Sequence, residues 1–232
     1  MKTLAFDDLN FQLRESDQRR TLEVIVDRDG TLVLAAPPGV PPEILEQFIE
    51  KNLVWVYAKL AEKEAQARPS SPREYVAGEG FLYLGRSYRL RVVPGTNHQS
   101  PLRLYHGRFE LRKDAVTEGR EHFIRWYTLH LRPVLDRHID ALVNRVGAEP
   151  PDVRVQELGY HWGSSNGRGD VYFHWRVALL PQRMIEYLVT HELAHLIERG
   201  HTSDFWGRVE RVVPDYIERQ RWLRNHGGMY DL

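Results

Sequence analysis

Between Pro181 and Gly200 the residues Ile185, Leu188, Val189, Leu196 and Ile197 recur at helical spacing. Carried on the same period is the string His191-Glu192-Leu193-Ala194-His195. Residues four apart on a helix share a face, with about 5–6 Å between their Cβ atoms. Two imidazoles so placed can hold one zinc ion, each at about 2.0–2.1 Å. Glu192 lies roughly 100° around the helix from His191, beside the ion rather than on it, where it can take a proton from a metal-bound water. Histidines and a glutamate on a helix this apolar are costly to bury without a partner, so the spacing points to a metal site rather than to a solvated surface pair.

Such a site needs a third protein ligand and an open position for water. His201 is the preferred candidate, because it follows Gly200, where the chain can turn sharply after the helix. Glu198 is the alternative: it lies seven residues from His191 and shares the histidine face if the helix continues that far. Cysteine is absent from the 232 residues. That removes disulfides, thiolate ligands and a cysteine nucleophile, and leaves any transition metal to histidine and carboxylate.

The start of the chain has no apolar signal-peptide core, and no apolar run reaches the roughly 18 residues of a membrane span. The expectation is a cytoplasmic protein without a membrane partner; the sequence does not specify an oligomeric state. Six Trp and eleven Tyr, with 42% hydrophobic residues, exclude a disordered chain. Lysine and arginine balance aspartate and glutamate overall, 32 against 32, but unevenly along the chain. From Arg68 to Arg112 there are 8 basic and 3 acidic residues, a net of +5. All eight are arginine, a bias compatible with an acidic partner or with a solvated sheet face.

Phe11–Arg14, Leu22–Val26 and Thr31–Leu34 read as strands, with Asp29-Gly30 as a hairpin turn. Pro41-Pro42-Glu43 opens a helix running past Leu60, and 67–72 reads as a linker. Short strands follow at Phe81–Leu84, Tyr88–Val93, Leu102–Tyr105 and Phe109–Arg112. A long helical pattern spans about Thr117 to Val146, with Pro133 predicting a kink or break and Gly147 a C-terminal cap. Val153–Leu158 and Val171–Val177 read as strands, and Gly159–Gly169 as a loop. Thr202-Ser203-Asp204 can cap a helix that Pro214 ends, before a final short helix. The expected class is α+β, with a β-rich N-terminal part over 1–115 and the chemistry-bearing domain over 116–232.

Three blocks give this pattern a resemblance. Trp162-Gly163-Ser164 precedes a polar turn and the strand containing Trp175-Arg176. Leu179-Leu180-Pro181 leads into the His191–His195 string. Gly200-His201-Thr202-Ser203-Asp204-Phe205-Trp206 is followed by Pro214-Asp215-Tyr216 and Trp222-Leu223. The stretch from Trp162 to Trp222 resembles the YgjP-like metallopeptidases, relatives of SprT-like and Wss-type zinc proteases; Gly80–Tyr88 is similar to the family's upstream pattern. The resemblance implies a zincin-like fold, zinc held by His191, His195 and His201, and Glu192 as general base for hydrolysis of proteins or peptides. It further implies that the strand 171–177 pairs with an extended substrate, with Tyr172, His174 and Arg176 as substrate-binding candidates. Ser165 stands where many members have cysteine, and His174 where the family often has asparagine. Tyr160, His161, His174, Tyr187 and Arg176 are candidates for the oxyanion stabiliser.

Two other readings stand beside this one. The similarity to SprT-like proteins, together with the arginine-rich stretch from Arg68 to Arg112, implies a nucleic-acid-associated protein, with or without protease activity, acting on DNA-bound proteins. A non-catalytic zinc-bearing interaction module would close its fourth position with Glu198 or Asp204, and Glu192 argues against it. Trp162 and Trp206 read as core. His98, His106, His122, His130 and His138 are scattered, and His130 and His138, which belong to no recognisable metal motif, read as helix-surface or packing residues.

Overall fold

The computed structural model describes residues 2–6, 9–27, 30–66, 73–95, 100–159, 161–166, 168–198 and 200–232. The expected linker at 67–72, Asp29 of the expected hairpin, Tyr160 and His98 lie outside the described residues. The chain divides into two compact units, Met1–Ser70 and Ser71–Leu232.

In the first unit, β1 (Lys2–Phe6), β2 (Leu9–Glu15), β3 (Glu23–Val26) and β4 (Leu32–Ala36) form a sheet in the order β1-β2-β4-β3, followed by α1 (Pro42–Gln66). β2 and β4 run parallel, while the outer pairs are antiparallel. Gly30 adopts φ +88°, and Asp27 N–H donates to Thr31 O at 2.7 Å, closing the β3–β4 connection. Phe11, Leu34, Ile49 and Val56 are fully buried and join the sheet to α1. The sequence reading missed β1, whose first residues carry little β-branched signal.

In the second unit, β5 (Gly80–Tyr83), β6 (Arg86–Val93), β7 (Leu102–Tyr105) and β8 (Arg108–Arg112) form a sheet in the order β5-β6-β8-β7. Its inner face packs on α2 (Gly119–Val146): the rings of Phe81 and Phe123 stack at 4.0 Å, and Phe109 meets Trp126 edge-on at 4.9 Å. α2 runs unbroken through Pro133. The carbonyl that proline leaves without a helical partner belongs to Leu129, a residue 63% exposed, where water can meet it. Gly147 ends the helix in the left-handed conformation, its N–H donating to Val143 O.

β9 (Asp152–Gln156), β10 (Gly163–Ser165) and β11 (Asp170–His174) make a third sheet in the order β10-β11-β9. A 3-10 turn, Trp175–Leu179, leads to α3 (Gln182–His195), then α4 (Ser203–Val212) and α5 (Tyr216–His226). β10 lies inside the segment expected to be loop, and the expected strand 171–177 ends at His174. Both differences come from pairing: β10 exists through its ladder to β11, and His174 caps the 3-10 turn by accepting from Arg176 N–H.

The units divide at Ser70/Ser71, ahead of the 115/116 division expected from sequence. β5–β8 share one core with α2, α3 and α4, through Phe81, Phe109, Leu135, Val189 and Phe205. The β5–β6 turn is tied to the turn ahead of α3 by Leu84 N–H to Ala178 O (2.8 Å) and Gly85 N–H to Leu179 O (3.1 Å). Among the described residues, no helix is long and apolar enough to cross a membrane.

Candidate metal centre and its flanking edge strand

α3 carries His191, Glu192 and His195 in its last turn, and the exit turn returns His201 to them. Nε2 of His191 lies 3.2 Å from Nε2 of His195 and 3.2 Å from Nε2 of His201. The three side chains form the one cluster of potential metal ligands among the described residues. Nitrogens bound tetrahedrally at about 2.0–2.1 Å stand about 3.3–3.4 Å apart, so the triad has the spacing of three corners of a zinc tetrahedron. Without a cation, converging imidazole nitrogens have too few protons to satisfy one another. Glu198 and Asp204 are not in the cluster. Glu198 contributes its backbone carbonyl, 3.2 Å from Nδ1 of His195, which places the proton on Nδ1 and leaves Nε2 free to bind.

The triad sits on aromatic packing. Phe205 is fully buried among the three imidazoles, with ring centroids 5.0, 4.4 and 4.8 Å from those of His191, His195 and His201. Thr202 caps α4 by accepting from Phe205 N–H at 3.3 Å, which fixes where that ring enters. His201 stacks on Trp206 at 5.4 Å, and Trp206 stacks on Tyr216 at 5.0 Å. His201 is exposed where His191 and His195 are half-buried, and this stack packs its ring in place.

Glu192 is 5% exposed, and burial pushes its carboxyl up to about 8. Burial, and then the neighbouring His195 and His201, push His191 down to about 3; burial also lowers His195. Neutral imidazoles are the metal-binding form, and a cation at the triad would favour the ionised form of Glu192. Among the described residues, Nδ1 of His191 is buried without a hydrogen-bond partner.

The strand beside this centre is β10. A Cβ added to Gly163 would lie 2.7 Å from Oε1 of Glu192 and 2.8 Å from its Cγ. Only glycine lets the strand approach this closely. β11, expected to pair with substrate, has both edges occupied, by β10 on one side and β9 on the other. β10 and β9 are the edge strands, and β10 is the one that lies against Glu192. His174 N–H donates to Trp162 O and Asn166 N–H to Asp170 O, so the hydrogen-bonded pairs are 162↔174 and 166↔170. By the alternation of an antiparallel ladder, 164↔172 is bonded too, and Gly163 and Ser165 point their N–H and C=O groups outward.

The three expected substrate contacts are otherwise engaged. His174 is fully buried: Nδ1 accepts from Arg176 N–H (3.0 Å), and Nε2 meets Glu157 Oε1 at 2.5 Å. Trp175 Nε1 donates to the other oxygen of Glu157 at 2.9 Å. Burial pushes the Glu157 carboxyl up, but the bonds from Trp175 and His174 and the charges of His174 and Arg176 together hold it below its usual range. Arg176 ion-pairs with Asp231 at 2.6 Å and lies over the Trp175 ring. The Tyr172 hydroxyl is within 3.3 Å of both Asp170 and Asn166.

Of the oxyanion candidates, Tyr187 lies closest along α3 to the triad, with its ring centroid 5.9 Å from that of His191. Its hydroxyl is pushed up to about 12 by burial and then by the charge of Glu192. His161 is exposed. Gly163, Phe205 and Tyr216 fall within the motif blocks of the sequence but carry no role there. Because Gly163 lies in a segment that reads as loop, the mark of a glycine inside a strand was not available from sequence.

No curated protein matched the chain. One solved structure, the crystal structure of the metallopeptidase zymogen of Pyrococcus abyssi abylysin, is similar over 38% of this chain and 91% of its own, with 26% identity and a TM-score of 0.36. The profile of the YgjP-like metallopeptidase domain matches residues 20–226, taking in the triad, Glu192 and the edge strand together, and the chain belongs to that family.

Proposed function

We propose that this metallopeptidase is a zinc enzyme with a zincin-like catalytic domain, in which His191, His195 and His201 hold the ion and Glu192 is the general base. The observation that carries the reading is the pair of 3.2 Å Nε2 separations with a buried carboxyl next in sequence to the first ligand. A donor set of three neutral imidazoles suits zinc and leaves a fourth position open. When bound, the ion supplies a Lewis acid for the scissile carbonyl and acidifies a water.

The remaining steps belong to the chain. An extended peptide lies along β10, exchanging backbone hydrogen bonds with the outward groups of Gly163 and Ser165. Backbone pairing of this kind reads little side-chain identity, so sequence preference is loose. Glu192 accepts the proton of the attacking water and delivers it to the leaving amine as the C–N bond breaks. Its burial excludes bulk water from that transfer, and Gly163 holds it against the strand that presents the substrate.

The test compares wild type with Glu192→Gln on an unfolded protein substrate, both at equal measured zinc content. Wild-type cleavage with a loss of at least ~100-fold in the variant supports the assignment. Equal cleavage by both, or zinc-loaded wild type that cleaves nothing, overturns it.

A further inference from the structure

The outer face of the β5–β8 sheet carries a second feature that peptide hydrolysis does not use. Register fixes which side chains share this face. Arg89 stands opposite Arg108, Arg91 opposite Glu110, and on the next strand Arg103 opposite Glu110 and Tyr105 opposite Arg108. Arg112 belongs to the same row of β8 by alternation. Five arginines and no lysine therefore project from one side, around a single carboxylate, Glu110, that is 6% exposed.

Glu110 is held by Arg103 (2.7 Å) and approached by Arg91 (3.6 Å), while Asp114 engages Arg112. No described carboxylate pairs with Arg108 or with Arg89, whose described partner is the Gly78 carbonyl at 2.7 Å. Like charges directly opposite on a ladder are unfavourable. A solvated face gains nothing from setting Arg89 against Arg108; a face that receives an anion does. Tyr105 is 48% exposed at the end of the row, with the Arg103 guanidinium 4.4 Å over its ring.

We propose that this face binds single-stranded nucleic acid. Guanidinium groups match phosphate oxygens bidentately, so the arginines of this face suit a phosphate backbone. An exposed aromatic ring on a sheet is a stacking platform for an unpaired base, and this favours a single strand over a duplex. A lipid surface would need apolar side chains to insert, and Tyr105 is the one large exposed hydrophobic side chain on this face. α2 packs on the opposite side of this sheet and α3 packs against α2, so the bound strand leaves the histidine triad open.

The test is fluorescence anisotropy of a labelled oligothymidylate with the full-length chain across a salt series. The comparison is between wild type, Arg89→Gln/Arg91→Gln/Arg108→Gln and Tyr105→Ala. Three phosphate contacts on a single strand predict that the triple variant binds at least ~10-fold more weakly at low salt, with its log–log salt slope reduced by about 2. Tyr105→Ala weakens binding while leaving the slope unchanged. Melting temperature and peptide cleavage are unchanged in both variants, so this result is read independently of the peptidase assignment. Unaltered binding in the triple variant, equal binding of a duplex, or equal binding of phosphatidylserine vesicles overturns the proposal.

Discussion

The α-carbon of Gly163 and the carboxyl of Glu192 are in such close contact that a single methyl group cannot be placed between them: a Cβ on Gly163 would lie 2.7 Å from Oε1. The edge strand and the buried acid therefore position one another. A substrate pairing with β10 is set at a fixed distance from the group that handles its proton.

Gly163→Ala tests that relationship. The added methyl must displace the carboxyl or the strand, and a shift of about 1 Å in a reacting group can cost about 10²-fold in rate. The expected outcome is zinc content equal to wild type, a kcat lower by about that factor, and a changed pH profile for the residual activity. Metal analysis beside steady-state kinetics checks it. Wild-type kcat in the folded variant would remove Gly163 from the catalytic geometry.

The outward groups of β10 make a positional prediction. Ser165 N–H points away from β11, so proline at 165 removes a hydrogen-bond donor that the fold does not use. Ser164 N–H faces β11, and proline there removes a ladder bond. Ser165→Pro is expected to raise KM for peptide substrates severalfold while melting near wild type; Ser164→Pro is expected to lower the melting temperature. Thermal melts and peptide kinetics on both variants separate the two faces. An unchanged KM in Ser165→Pro would sink pairing at this edge.

Removing the metal exposes the electrostatics of Glu192. Its folded-state value near 8 lies above the ordinary 4.5, so the folded chain holds the proton more tightly than the unfolded chain. That contribution is fully present below pH 4.5 and is lost as pH rises toward 8. His191 works in the opposite sense: pushed down to about 3, it adds stability as pH rises from 3 to 6.5 and nothing further above. Between pH 6.5 and 8 the fall due to Glu192 stands without that opposing rise, and it is on the order of 1–2 kcal/mol. Urea unfolding of the metal-free chain at both pH values, with and without Glu192→Gln, measures it. The variant should lack the fall.

The two candidate third ligands also separate. His201→Ala is expected to weaken zinc binding by at least about 10²-fold, more than is typical for loss of an outer-sphere partner. Glu198→Ala, which keeps the carbonyl that bonds His195, should bind zinc as wild type does. Competition with a chelator of known affinity reads both. Loss of zinc in Glu198→Ala alone would reassign the ligand.

The sequence by itself determined what is local. Helical spacing put His191, Glu192 and His195 on one turn, Thr202 capped α4 and Gly147 ended α2, because each depends on residues within one or two turns of the chain. The tertiary structure decided what depends on residues distant in sequence: that β11 is enclosed by β9 and β10, that β10 is the edge strand packed against Glu192, and that β5–β8 join the core of the metal-bearing unit. It also turned His174 and Arg176 inward, to Glu157 and Asp231. Strand neighbours and buried polar partners are chosen by which segments meet after collapse, and a one-dimensional pattern records only that a strand has two edges, not which of them is taken.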